Sequence, residues 1–249
     1  NYLWLIDDSD TKAQELTHML KQDFQHINIK IISYRDCPDK INPKVFKLNQ
    51  GLKKVLTDYV IILDDDAMLQ PETLQDLVIN LKENDLTTGL PIYKDNDNFW
   101  CKLMTQFVNN NSAMTYLPLL WFWKPISING MCYAMKLQTV QQLNYFEGIL
   151  TFLADDLSLA LIMKQKGMKL YQSRKHVVLQ TNIEDSNRYV NLMHRWFLFA
   201  KLLLKNHSLK ENIVITLLYG LPPLFLWMNV LYGLRDGHYI ILPLLIIIR

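Results

Sequence analysis

Little in this chain points to disulfides, structural zinc or nucleic acid. Its three cysteines, Cys37, Cys101 and Cys132, are widely spaced, with no Cys-x-x-Cys pair and no histidine-rich companion. That pattern argues against a disulfide framework and a cysteine-based zinc site and leaves three ordinary reduced thiols. No long basic stretch with interleaved aromatics occurs, and 26 basic against 24 acidic residues give a net charge of only +2. Nucleic acid is therefore not an expected partner. Internal repeats and low-complexity tracts are also missing. The chain opens without Met in an apolar strand pattern, Asn1-Tyr2-Leu3-Trp4-Leu5-Ile6, and closes inside Leu244-Leu-Ile-Ile-Ile248. It reads as a fragment at both ends. Its 249 residues suffice for one domain with a full core, without a second soluble domain.

What the chain does have is an apolar run, Tyr59-Val-Ile-Ile-Leu63, that empties into Asp64-Asp65-Asp66. Neighbouring carboxylates repel and need either solvent or a cation, so acids at the end of a buried strand suggest a divalent ion. Mg²⁺ and Mn²⁺ are held by one or two carboxylates plus substrate phosphates, and strand carboxyl ends are where open α/β sheets bind ligands. A solvated acidic turn ahead of a helix opening at Pro71 is the other reading of the same residues.

The periodicity up to about residue 206 alternates strand and helix, which is an α/β pattern. Strands are expected at Tyr2–Ile6, Ile29–Ser33, Tyr59–Leu63, Thr88–Ile92, Ile128–Met135 and Lys169–Tyr171. Helices are expected at Lys12–Gln25, Pro71–Glu83, Asn98–Asn109, Lys136–Leu143, Ala154–Lys166 and Ser186–Lys205. Asp7-Asp8 follow the first strand as Asp64 to Asp66 follow the third, so a parallel sheet would line one crevice with both clusters. A third acid pair, Asp155-Asp156, opens a helix that Gly167 closes. Arg188 and Arg195 lie seven apart, on one helix face, where they could grip phosphate or meet anionic lipid headgroups.

Composition changes near residue 211. Asn212 to Leu234 are 23 residues without a charge, long enough to cross a bilayer. After the polar connector Arg235-Asp236-Gly237-His238, a second apolar stretch runs from Tyr239 to Ile248, as an antiparallel span would. Transmembrane helices over 207–249 are the expectation, with a buried core helix as the alternative. The run Tyr116-Leu-Pro-Leu-Leu-Trp-Phe-Trp-Lys124 suits either a buried connection or a membrane-water boundary.

Taken in order, Asp7-Asp8, Asn42-Pro43-Lys44, Asp64-Asp65-Asp66, Gly89-Leu90-Pro91, Asp155-Asp156 and Arg195-Trp196 resemble the ceramide glucosyltransferase family, membrane-bound members of the GT-A glycosyltransferases. Ile41-Asn-Pro-Lys44 and Asn129-Gly-Met-Cys132 extend the likeness. The resemblance implies a GT-A catalytic domain over 1–206, a Rossmann-like mixed sheet flanked by helices, followed by C-terminal membrane helices. It implies a UDP-sugar donor and a ceramide or other lipid acceptor. Since nucleotide sugars are made in the cytosol, the catalytic domain is expected to face it from a bacterial inner membrane or Golgi-type membrane, in agreement with the unpaired cysteines. Asp7 or Asp8 would contact the uridine part of the donor, and Lys44 and Asp65 would belong to the nucleotide-sugar site. Asp64 and Asp66 would hold Mg²⁺ or Mn²⁺. Asp156, beside Asp155, would be the general base, and Arg195 and Trp196 would lie near the diphosphate and the sugar.

The likeness has gaps. Leu192 stands where the family's last motif carries Gln or Arg, and Arg188, one turn earlier, is a candidate substitute donor. Asp155 stands where the family has Glu, and the family's first strand and loop are missing. Two other readings compete: a haloacid-dehalogenase-type phosphohydrolase using Asp64 to Asp66 with Asp155-Asp156, and a degenerate, non-catalytic membrane protein. Met68 in place of Thr or Val weakens the first.

Overall fold

The structure, a computed structural model, describes residues 1–35, 37–94, 98–117, 120, 125, 127–205 and 208–235. In chain order the elements begin β1 (Tyr2–Asp7), α1 (Thr11–Asp23), β2 (Ile29–Tyr34), α2 (Pro43–Leu52), β3 (Tyr59–Leu63) and β4 (Ala67–Leu69). They continue with α3 (Pro71–Asn80), β5 (Leu86–Tyr93), α4 (Phe99–Tyr116), β6 (Cys132–Lys136) and α5 (Leu137–Gln142). A 3-10 turn, Asn144–Ile149, leads to α6 (Asp155–Gln165), β7 (Leu170–Leu179), α7 (Ser186–Lys205) and α8 (Leu209–Arg235).

The strands form two sheets. β1 and β2 pair in parallel, while the larger sheet has the order β3-β6-β5-β7-β4 and mixes both directions. This corrects the expectation of one parallel sheet carrying both acid clusters. β3 takes an antiparallel partner, β6, and among the described residues β1 hydrogen-bonds only to β2. What links the two sheets is α2, whose Lys47 reaches Asp7 at 2.7 Å and whose Lys44 reaches Asp64 at 2.8 Å. Gly51 on the same helix leaves no space for a Cβ, which would stand 2.7 Å from a methyl of Leu5 on β1.

β6 shows why the larger sheet is buried on both faces. Side chains alternate across a strand, and Tyr133 and Met135 enter one core while Cys132 and Ala134 enter the other. The first core packs Val45 and Leu52 of α2, Val140 of α5 and Leu159 and Met163 of α6. The second packs Leu77 of α3, Met104 and Val108 of α4 and Met193 of α7. Helices thus flank the sheet on both sides, an α/β architecture in line with the sequence pattern.

α8 forms as one helix across the uncharged stretch. Among the described residues, however, no helix is long and apolar enough to cross a membrane, so the expected spans are not borne out. The second apolar stretch, Tyr239–Ile248, and most of the Tyr116–Lys124 aromatic run lie outside the described residues.

Candidate active site around Lys44

The site is assembled by local capping. Asn42 caps α2, its side-chain oxygen accepting the Lys44 N–H at 3.0 Å, and Pro43 occupies the first turn, where a missing N–H costs nothing. This aims Lys44 from the helix start at the end of β3. Its ammonium donates to the Asp64 carboxylate at 2.8 Å and to the Gly130 carbonyl at 2.9 Å, and lies 3.8 Å from Asp155. One lysine therefore joins the acid turn after β3 to the acid pair that opens α6. Burial acts to lower the Lys44 pKa, but the carboxylates of Asp64 and Asp155 outweigh it and hold the ammonium above its ordinary value. Burial pushes the Asp64 carboxyl up, and contact with Lys44 takes back part of that rise.

The loop before β6 supplies the third wall. Asn129 is buried, its backbone N–H donates to the Thr88 hydroxyl at 3.0 Å, and its side-chain oxygen accepts the Met131 N–H at 3.1 Å. Fixed in this way, the loop presents the Gly130 carbonyl to Lys44 and the Met131 carbonyl to the Asp64 N–H, at 2.9 Å each. Gly130 also lies against Asp156, because a Cβ built there would be 2.9 Å from the Asp156 Cβ and 3.3 Å from its Oδ2. Asp156 is the proton-accepting candidate. Burial raises its pKa, the adjacent Asp155 raises it further, and together they bring it to about 6 despite a bond from the Leu157 N–H.

Asp66 opens a second flank. Its carboxylate accepts from the Thr181 hydroxyl at 2.5 Å, and that hydroxyl stands 3.4 Å from the Tyr93 phenol. Burial raises the Tyr93 pKa, the Thr181 contact offsets some of it, and the fields of Asp66 and Arg195 act in opposite senses. Arg195 is exposed, and it forms no ion pair among the described residues. Trp196 is packed, stacking on Phe107 at 5.8 Å and meeting Tyr93 edge-on at 6.5 Å. Asp65 is exposed and, with Asp66, Met68, Gln180 and Asn182, lines an open cleft of about 320 Å³.

Of the residues the sequence singled out, the structure brings Lys44, Asp64, Asp155 and Asp156 together, with Asp66 beside Asp64 across the turn. Asp7 and Asp8 belong to the neighbouring sheet. Asp7 pairs with Lys47, and Asp8 accepts from Arg35 and Ser33 at 2.9 Å, contacts that hold its carboxyl below the ordinary range. Arg188 faces its own helix start, 3.9 Å from Glu184, and Leu192 packs into the core beside Trp196. Sequence reasoning missed Tyr93 and Thr181, which carry no motif. It quoted Asn42 and Gly130 without a role, although Asn before Pro signalled the helix cap.

Among the described residues no group of three or more His, Cys, Asp or Glu side chains could hold a metal ion by protein ligands alone. Asp64 and Asp66 still fit the other kind of divalent site, in which one or two carboxylates share the ion with substrate phosphates. Their fields reinforce each other, as expected of acids that a cation would relieve.

The architecture is a mixed sheet between helices with acids at a strand end and at a helix start, and its family match and structural similarity give it a GT-A-like glycosyltransferase fold. The chain belongs to Glycosyl transferase family 21, which it matches over residues 2–236. That finding displaces the phosphohydrolase reading of the same acids. Among solved structures it is similar to a mannosyltransferase from Pyrobaculum calidifontis in complex with GDP-Man and Mn²⁺. There the TM-score is 0.53 at 11% identity, covering 97% of this chain and 73% of that one. Glucosyl-3-phosphoglycerate synthase from Mycobacterium tuberculosis matches with a TM-score of 0.48 at 15% identity, covering 83% and 69%.

Proposed function

We propose that this glycosyltransferase moves a hexose, glucose from UDP-glucose, onto the primary hydroxyl of ceramide or a similar membrane lipid with inversion at the anomeric carbon. The observation that carries the reading is the Lys44 bridge, which joins the acid turn expected at the donor diphosphate to the acid pair expected at the acceptor. In the reaction, Asp156 takes the proton of the acceptor hydroxyl while that oxygen attacks the anomeric carbon. The bond from that carbon to the diphosphate breaks, and UDP leaves with the electron pair. A base with a pKa near 6 is charged at neutral pH yet stronger than an ordinary carboxylate, which suits general-base work. Lys44 compensates the negative charge of Asp64 and Asp155. Arg195, exposed beside Tyr93, is placed in this reading at the donor's phosphates, and Asp7 and Asp8 at its uridine.

Asp64 and Asp66 would hold the divalent ion, Mg²⁺ or Mn²⁺, whose chemistry is to neutralise a departing diphosphate. The similar mannosyltransferase structure contains Mn²⁺, which supports this assignment. The lipid acceptor is supported by the apolar C-terminal region. α7 and α8 expose Val190, Phe197, Trp227, Met228 and Leu231, among others, a surface that suits a bilayer better than water. We place the catalytic domain on the cytosolic side of that bilayer, where nucleotide sugars are made.

The test is transfer of labelled glucose from UDP-glucose to ceramide by the full-length protein in detergent with Mn²⁺, comparing wild type with Asp156→Asn. Product that disappears in the variant supports both the reaction and its base. Metal-dependent hydrolysis of UDP-glucose without ceramide product would keep the transferase and redirect the search to other lipid alcohols, such as diacylglycerol or a hopanoid. Neither activity from a folded, nucleotide-free protein would favour the non-catalytic reading.

A further inference from the structure

The stretch between the 3-10 turn and α6 combines a fixed backbone with exposed apolar side chains. Tyr145 and Phe146 adopt left-handed backbone conformations, at φ 54° and 74°, which non-glycine residues rarely adopt without tertiary support. Phe146 and Ile149 are then anchored in the core. The next residues are held by the residue that caps α2. The Asn42 N–H donates to the Leu150 carbonyl at 2.8 Å, and the Asn42 side-chain amide donates to the Phe152 carbonyl at 3.0 Å. The Phe152 N–H closes onto Ile149 at 3.1 Å. Yet the Phe152 and Leu153 side chains are 51% and 59% exposed. They directly precede Ala154, the N-cap of α6, and the pair Asp155-Asp156.

Holding two large apolar groups in water on a locked backbone gains nothing for folding. It does prepare a surface for something apolar, since contact area that is already ordered costs less to use in binding. Gly130 closes one side of Asp156, and the exposed rim on this stretch of chain is Thr151 to Leu153. We propose that Phe152 and Leu153 form the acceptor lip of the site, gripping the alkyl chain of the acceptor next to the hydroxyl that reacts, with Asn42 as the positioning residue that holds the lip to the Lys44 helix. The assignment rests on the glycosyl-transfer reading and adds to it the residues that choose a long-chain acceptor. The occupant is an alkyl chain, matched to two apolar side chains that offer no hydrogen bond; a sugar or base stacked on Phe152 instead would show as a raised KM for UDP-glucose in the double variant.

The experiment compares wild type, Phe152→Ser with Leu153→Ser, and Asn42→Ala, using ceramide with a long N-acyl chain and ceramide with an acetyl group as acceptors. Hydrolysis of UDP-glucose is followed alongside. Covering one such side chain is equivalent to roughly tenfold in binding. The double variant is therefore expected to raise KM for the long-chain acceptor at least tenfold, while KM for UDP-glucose and its hydrolysis stay unchanged. The acetyl acceptor, which reaches less of the lip, should lose less. Asn42→Ala should lower the long-chain to short-chain preference even where its fold, checked by circular dichroism, is kept. Equal KM values for wild type and the double variant on the long-chain acceptor would overturn the lip while leaving the transferase reading intact. Wild type that hydrolyses UDP-glucose but glycosylates neither ceramide would overturn the acceptor reading and the lip together.

Discussion

Asp156 and Lys44 hold opposite kinds of burden at the residue scale. A carboxyl whose pKa rises to about 6 on folding binds more protons in the native than in the unfolded state between its ordinary value near 4 and pH 6. Stability therefore falls as pH rises through that window, and the charged base works against the fold at neutral pH. Two outcomes follow for Asp156→Asn: a higher melting temperature than wild type at pH 8, with no such gain at pH 3, and loss of sugar transfer at pH 8, where the wild-type base is ionised. In the wild type the transfer rate should rise through an apparent pKa near 6. Asp155→Asn should move that limb to lower pH, because it removes a neighbouring negative charge; an unmoved limb would show that Asp156 is not the titrating base. Lys44 carries the reverse burden, since removing it leaves Asp64 and Asp155 facing each other. Truncating one partner of a fully buried pair costs about 3–5 kcal/mol. Lys44 keeps a third of its side chain exposed, so Lys44→Met is expected to cost about 1–3 kcal/mol in urea denaturation.

At the scale of elements, the loop before β6 and the middle of α7 make contrasting predictions. Gly130 takes no unusual backbone conformation, so Gly130→Ala is not strained by φ, and its whole effect comes from a methyl group pressed onto Asp156. The expected result is a large loss of transfer with a stability change of about 1–3 kcal/mol, and a Gly130→Ala enzyme of normal kcat would show that the Asp156 position is not critical. Trp196 was legible in the sequence only through its motif, whose family resemblance implied a place near donor sugar and phosphate. In the fold it is stacked on Phe107 and set against Tyr93, so Trp196→Ala should cost about 2–4 kcal/mol whatever it does for the donor, measured by thermal unfolding. β3 and α7 have the bounds that periodicity gave, because each is bracketed by strong signals: the acid turn for β3, and Ser186 and a long amphipathic run for α7. α2 escaped because Asn42-Pro43-Lys44 was weighed as a motif rather than as a cap with Pro in the first turn. β4 escaped because its three residues pair only with the distant Val177–Leu179, a partner that no local pattern reveals.

Across the whole molecule, what sequence could not supply was which strands meet. Asp7-Asp8 and Asp64 to Asp66 both end strands, yet they sit on different sheets and are joined through Lys47 and Lys44, one turn apart on α2. The convergence of Asp64 with Asp155 was foreseen by resemblance. Its agent, Lys44, depends on a contact spanning more than a hundred residues. The last consequence concerns the far end of the chain. Leu224, Trp227, Met228 and Leu231 follow helical spacing along α8 and are each more than half exposed, whereas the start of the helix is tied to the domain by the Lys164–Glu211 pair at 2.7 Å. A helix anchored at one end by charge and left apolar beyond it is a membrane-contact element in our reading. The full-length protein should float with uncharged phosphatidylcholine vesicles in a density gradient, and should do so at high salt, since apolar contact is not screened. Each side chain covered by lipid contributes about 1.5–3 kcal/mol, so Trp227→Ser combined with Leu231→Ser should weaken partitioning by at least about a hundredfold. Protein that stays in the dense fraction without vesicle association would sever the lipid acceptor from its route to Asp156 and turn attention to a soluble one.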